Sequence, residues 1–211
     1  MLSALAKLYL RTLDKLQQFN GIPSLLIRLY LAPVMIQAGW NKYSSFADTA
    51  AWFGNPDWGL GLPFPALMAS LAIAAELFGG ILLLLGLMTR LVTIPLMVTM
   101  LVATFSVHWS NGWPAIADTS SWLADGTLLL NESVMASAEK LDAANSILKE
   151  YGNYEWLNAS GKFVVLNNGI EFAVTYFVML LALMFMGGGR YLSVDFWLKR
   201  TLCNQLNTRG Q

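Results

Sequence analysis

The chain has 211 residues, of which 56% are hydrophobic and 12% charged, about half the roughly 25% charge usual in soluble domains. Its thirteen basic and thirteen acidic residues cancel, so no global charge draws it to nucleic acid. A single cysteine, Cys203, excludes an internal disulfide and a paired-thiol redox centre.

The first twenty residues carry Lys7, Arg11 and Lys15 without a compact apolar run before a small-residue cleavage site, so no removable signal peptide is read there. Crossing a hydrocarbon core of roughly 30 Å takes about 20 mostly apolar helical residues, because backbone polar groups in lipid must bond within the helix. Four segments satisfy this expectation. The first covers residues 22–43, with Pro23 in its first turn and Pro33 predicting a kink midway. The second covers 66–88, behind the stiff Leu62-Pro63-Phe64-Pro65 turn, and the third covers 91–108. The fourth covers 167–189 and stops at Gly187-Gly188-Gly189.

Basic residues predict orientation, since Lys and Arg are retained on the cytoplasmic side. Lys7, Arg11, Lys15, Arg90, Arg190, Lys199, Arg200 and Arg209 share one side if both termini are cytoplasmic. The opposite loops, residues 44–65 and 109–166, carry Asp48, Asp57, Asp118, Asp125, Glu132, Glu139, Asp142, Glu150 and Glu155 against Lys140, Lys149 and Lys162. Trp40, Trp52, Trp58, Trp109, Trp113 and Trp122 cluster near the outer span ends, where amphipathic rings favour the interface. The 109–166 segment is too long for a simple connection. Asn131 is placed to cap a helix with Val134, Ala138, Leu141, Ile147 and Leu148 on its apolar side, ended by Gly152, which would lie on the outer face. The fold class is therefore all-α, a transmembrane four-helix bundle in one membrane domain with a partly helical extracytoplasmic insertion between helices 3 and 4.

Ionisable groups at membrane depth are costly unless they face a partner or water, which makes each a candidate for function. Glu76 lies near the middle of span two. Gln37, Asn41 and Lys42 on span one, His108 ending span three, and Asn167, Asn168 and Glu171 opening span four lie toward the outer leaflet. Gln37, Asn41, Lys42, Glu76, His108 and Glu171 are the ligand-binding candidates of an outer pocket. Arg28, Thr89, Arg90, Arg190, Ser193 and Asp195 form a second group at the cytoplasmic boundary, read as structural, with Arg28 expected to extend its guanidinium to the headgroups. One histidine cannot supply paired haem ligands, no iron–sulfur set is present, and no residue spacing points to a metal site. There is no phosphate-binding glycine loop, GxSxG elbow or HExxH motif, so a self-contained enzyme is not expected.

Arg28, Gly39-Trp40 and Lys42, then Glu76-Leu77-Phe78-Gly79-Gly80 with Leu85-Gly86-Leu87-Met88-Thr89-Arg90, resemble the DoxX family. Ala103, His108, Glu171 and the Gly187-to-Asp195 stretch GGGRYLSVD extend the resemblance through all four spans. The long 109–166 insertion departs from the family's short members. The resemblance implies a multi-pass protein of a bacterial inner membrane. It implies a subunit type linked to thiosulfate oxidation with quinone as acceptor, with other members in oxidative-stress or metal-stress systems. Long members are similar to those encoded beside peptide-modifying enzymes of copper-binding natural products. The leading expectation is an accessory subunit binding a small lipophilic partner, a quinone being the cofactor class, alongside the bilayer and other membrane or periplasmic subunits. The alternatives are an assembly protein for a secreted or metal-stress partner and, third, a small transporter.

Overall fold

The computed structural model describes residues 2–209, and for residues 2–4, 7, 8, 13, 14, 16 and 207–209 their backbone alone. Lys7 and Arg209, two of the basic residues used for orientation, thus have side chains outside the described ones. No strand occurs among the described residues, which contain only two isolated bridges. The chain is an all-α membrane helical protein. It divides into two compact units, one comprising Met1–Thr99 with Tyr176–Gln211 and the other Met100–Thr175.

In the first unit, α1 (Leu2–Gln17) precedes the long α2 (Gly21–Ser44). α1 was not anticipated. It is amphipathic and leaves Leu5, Tyr9 and Leu10 exposed, the pattern of a helix lying in a membrane surface. α2 runs unbroken through Pro33, whose side lies exposed. Its buried stripe is Gly21, Ser24, Arg28, Leu31, Ala32, Met35 and Gly39, the three-and-four spacing of one helix face. A short helix, α3 (Phe46–Gly54), follows and returns the chain to α4 (Pro65–Leu85). Pro65 opens α4, where its missing N–H costs nothing.

α2 and α4 pack antiparallel, and glycine sets how closely. A Cβ on Gly39 would lie 2.6 Å from the Leu77 amide nitrogen, and one on Gly80 would lie 2.7 Å from Ile36 Cγ1 and 3.0 Å from the Ala32 carbonyl oxygen. Without a hydrophobic drive between helices in lipid, this close backbone approach supplies the dispersion contact that holds the pair. α4 ends at Leu85, three residues before the sequence expectation, because Gly86 takes a left-handed φ of 62° and the Leu87 amide turns back to Leu82.

The third long helix begins as α5 (Thr89–Val102), continues through a π-helical turn at Ala103–His108 and closes with a 3-10 turn at Trp109–Asn111. Three helices are therefore long and apolar enough to cross a bilayer: Gly21–Ser44, Pro65–Leu85 and Thr89–Asn111. The fourth apolar helix, α9 (Glu171–Met186), has 16 residues and not the 167–189 extent expected. At about 1.5 Å per residue it is roughly 24 Å long, short of the hydrocarbon core. Its start is delayed because Asn167, Asn168 and Gly169 donate their amides to Ala115 and Pro114 carbonyls, and Gly187, at φ 74°, ends it. The first unit closes with α10 (Val194–Arg209), a helix not anticipated from the sequence.

The second unit contains α6 (Glu132–Met135), α7 (Ser137–Tyr151) and α8 (Tyr154–Asn158). Asn131 caps α6 as expected, its Oδ1 accepting from the Val134 amide at 3.2 Å. The single helix expected there is broken at Ala136. Val134 is fully buried and Leu141 and Leu148 partly so, but Ala138 and Ile147 are exposed, which corrects the apolar side assigned to them.

Candidate functional site

Glu76 sits halfway along α4, one turn before Gly80, which lets α2 approach closely, and Gly79, which faces Leu96 of α5. It is 4% exposed, and Lys42 Nζ donates to its Oε2 at 2.6 Å. This is the only ion pair among the described residues. The contact with span one follows from depth: a carboxylate at this level needs a partner, and Lys42 is three residues beyond Gly39 on the same α2 stripe. Lys42 retains 30% side-chain exposure, so the pair has one buried member and one that reaches the surface. Such an arrangement gives a buried acid a polar exit along a flexible ammonium arm.

Gln37 and Asn41 lie off that stripe, and both side chains are exposed. Neither hydrogen-bonds Glu76. Their position two residues past Met35 and Gly39 turns them about 200° away from the α4 contact.

At the opposite end of the first unit, Arg28 is fully buried and does not reach the headgroups, contrary to the expectation of an extended side chain. Its Nη1 donates to the carbonyls of Leu83, Leu84 and Leu192, and its Nη2 to Tyr191 at 2.9 Å and Leu192 at 3.2 Å. The planar fork thus ties α2 to the unsatisfied carbonyl end of α4 and to the loop before α10. Asp195 caps α5 from a distance in sequence, accepting from the Met88 and Thr89 amides at 2.7 and 2.9 Å. Ser193 Oγ donates to Gly86 at 3.1 Å, and Ser24 Oγ donates to Gly187 at 2.5 Å. Ser24 gave no signal in the sequence beyond its place on the α2 stripe. Arg90 Nη2 donates to the Phe185 carbonyl at 3.0 Å, while Arg190 donates to Gln18 and to the Tyr191 hydroxyl. Arg28 Nε and Thr89 Oγ1 are buried without a hydrogen-bond partner.

In the second unit, His108 Nδ1 lies 2.9 Å from the Asn168 carbonyl oxygen, which can only accept, so the ring proton is on Nδ1. Asn111 Nδ2 donates to the same oxygen at 3.1 Å. Glu171 Oε2 accepts from the Ala115 amide at 2.9 Å. These bonds fasten residues 111–117 to residues 165–171, the join that shortens α9. Glu171 also borders a cavity of about 420 Å³ with Trp113, Phe172 and Asp118. The Ser120 hydroxyl and amide hold the Asp118 carboxyl below the usual carboxylate range.

The structure therefore brings Lys42 and Glu76 together and, separately, His108, Asn168 and Glu171 with residues 111–115. Comparison with known proteins gives one finding: residues 24–109 match the model of the DoxX family. The match takes in Arg28, Lys42, Glu76, Arg90 and His108, ends at the first residue of the insertion and does not reach the Gly187-to-Asp195 loop. No curated protein and no solved structure matches the chain.

Proposed function

On the premise that residues 24–109 are a DoxX-family membrane segment, we propose that the chain is an accessory membrane subunit that receives a small lipophilic partner, such as a quinone, beside the Lys42–Glu76 pair. The observation that carries this reading is the pair itself: a carboxylate 4% exposed at mid-helix depth, bonded at 2.6 Å to a cation that keeps surface access. A purely structural contact needs no such asymmetry. Glu76 supplies or accepts a proton at its carboxyl, Lys42 relays it toward the surface, and a separate protein handles electrons. Ubiquinone-dependent oxidation of a reduced sulfur compound, compared in membranes with and without this chain, tests the reading.

The chain is placed in a bacterial inner membrane, with α9 as a fourth, shorter crossing and both termini cytoplasmic. Arg11, Lys15, Arg90, Arg190, Lys199 and Arg200 support this orientation. A reporter active only outside the cytoplasm should be active when fused after Gly112 or Gly152 and silent when fused after Gln211. The inverse pattern overturns the orientation.

A second reading, an assembly protein for a secreted or metal-stress partner, is favoured by one feature of the insertion. Trp122, Leu128, Leu129 and Leu130 are between 52% and 67% exposed around the turn closed by the Asp125–Leu130 bridge. Adjacent exposed apolar side chains of this kind mark contact surfaces. Deleting residues 115–160 separates the readings: retained quinone binding supports the redox role, and loss of a co-purifying partner with quinone binding unchanged supports the assembly role alongside it.

A further inference from the structure

The end of the first unit opposite the Lys42–Glu76 pair holds a cavity of about 820 Å³ that the proposed redox role does not use. Its floor is the Gly187-Gly188-Gly189 turn, and the first residues of α2 and α5 and the first turns of α10 enclose it. Two cations, Arg90 and Lys199, border it, and neither is ion-paired among the described residues. Asp195 also borders it, but both of its oxygens are taken by the Met88 and Thr89 amides, so its charge is committed to the N-terminus of α5. Asn20 and Ser24 also line it, the Ser24 hydroxyl being spent on the Gly187 carbonyl, and the apolar part of the wall is Met88, Leu91, Met186 and Phe196, of which the first three are 40–59% exposed. Cations over an apolar wall at the ends of membrane helices match one ligand chemistry, an anionic phosphate joined to a hydrocarbon chain.

We propose that this cavity is a binding site for the phosphate of an acidic phospholipid, with Arg90 and Lys199 on the headgroup and the acyl chains along Met88 and Leu91. A soluble phosphate would use the cations and leave those apolar side chains wet, so a lipid is the ligand that uses both the cations and the apolar part of the wall. The site is independent of the quinone reading, since it lies at the far end of the α2–α4 pair and shares no residue with it.

The experiment is lipid titration of the delipidated full chain, read by native mass spectrometry, with phosphatidylglycerol and phosphatidylcholine as probes. The chain should bind phosphatidylglycerol roughly tenfold or more tightly than phosphatidylcholine, from two cations acting near the membrane surface. The Arg90→Gln/Lys199→Gln double variant should lose that preference, Lys199→Gln alone should lose part of it, and Arg90→Lys should keep most of it. Arg90 also holds the Phe185 carbonyl, so Lys199→Gln, whose side chain is exposed, reports on binding even if the double variant folds poorly. Arg11→Gln/Arg200→Gln removes the same charge elsewhere and should leave the preference intact. The proposal is overturned if that control loses as much as the double variant, if Lys199→Gln changes nothing, or if millimolar inorganic phosphate displaces the lipid.

Discussion

Replacing Arg28 with Met should lower the stability of the folded bundle by about 3–5 kcal/mol, the largest single-residue effect expected in the chain. Arg28 is wholly buried, and its guanidinium serves the carbonyls of Leu83, Leu84, Tyr191 and Leu192. Met fills much of the volume but leaves the Leu84, Tyr191 and Leu192 carbonyls without this donor, Leu83 keeping the Gly86 amide, and each unsatisfied buried group costs free energy. Arg28→Lys keeps the charge but offers a single ammonium in place of a fork, so it should recover only part of the loss. Reversible unfolding of purified variants in mixed micelles measures the order, with wild type above Lys and Lys above Met. A Met variant within about 1 kcal/mol of wild type would show that the three chain segments are held by packing and not by this side chain.

The second large effect concerns the Lys42–Glu76 pair. Lys42→Met should cost about 3 kcal/mol, because it strands a carboxylate that is 4% exposed, whereas the Lys42→Met/Glu76→Gln double variant should recover most of that loss. Glu76→Gln alone should cost less than Lys42→Met, since Lys42 is 30% exposed and its ammonium can turn to water. The double variant then loses less stability than the sum of the single variants, by well over the few tenths of a kcal/mol of independent sites. Simple additivity of the two single variants would mean that the 2.6 Å contact contributes nothing specific.

The helices that could be read from the sequence were those whose signal is local. Long apolar runs located Gly21–Ser44, Pro65–Leu85 and Thr89–Asn111, since hydropathy over about 20 residues carries that information by itself. The ends were less legible because distant partners set them. Asn167 and Asn168 look like the opening turn of an apolar helix, yet their amides pair with Ala115, more than fifty residues earlier, so α9 starts at Glu171. Arg28 was misplaced for the same reason: its depth suggested a reach to the headgroups, while its acceptors at Tyr191 and Leu192 lie 163 and 164 residues away. α1 and α10 were not legible because neither contains a continuous apolar run; α1 alone has the one-sided apolar face of a membrane-surface helix.

Within the candidate site, Glu76 and Lys42 were legible from depth and charge. Gln37 and Asn41 were grouped with them by their depth toward the outer leaflet. The stripe Arg28, Leu31, Ala32, Met35 and Gly39 shows which face meets α4, and its spacing leads to Lys42, passing both amides by. His108 and Glu171 carry polar chemistry, and the structure gives each a backbone partner in residues 111–168 that no spacing rule could supply.

The most direct test of the central claim is the rate of ubiquinone reduction by a reduced sulfur compound in membranes carrying the wild-type chain, the Glu76→Gln chain or none. Gln preserves the shape and hydrogen-bonding capacity of the side chain while removing the exchangeable carboxyl proton, so a fall in rate cannot come from lost packing once folding is verified. The account predicts that the wild-type chain raises the rate over membranes lacking it and that Glu76→Gln, inserted and folded at wild-type level, lowers the gain by roughly a hundredfold, the scale of a lost general acid or base. Equal rates in all three membranes, or a Glu76→Gln chain as active as wild type, would contradict it and leave the Lys42–Glu76 pair as a structural contact between α2 and α4.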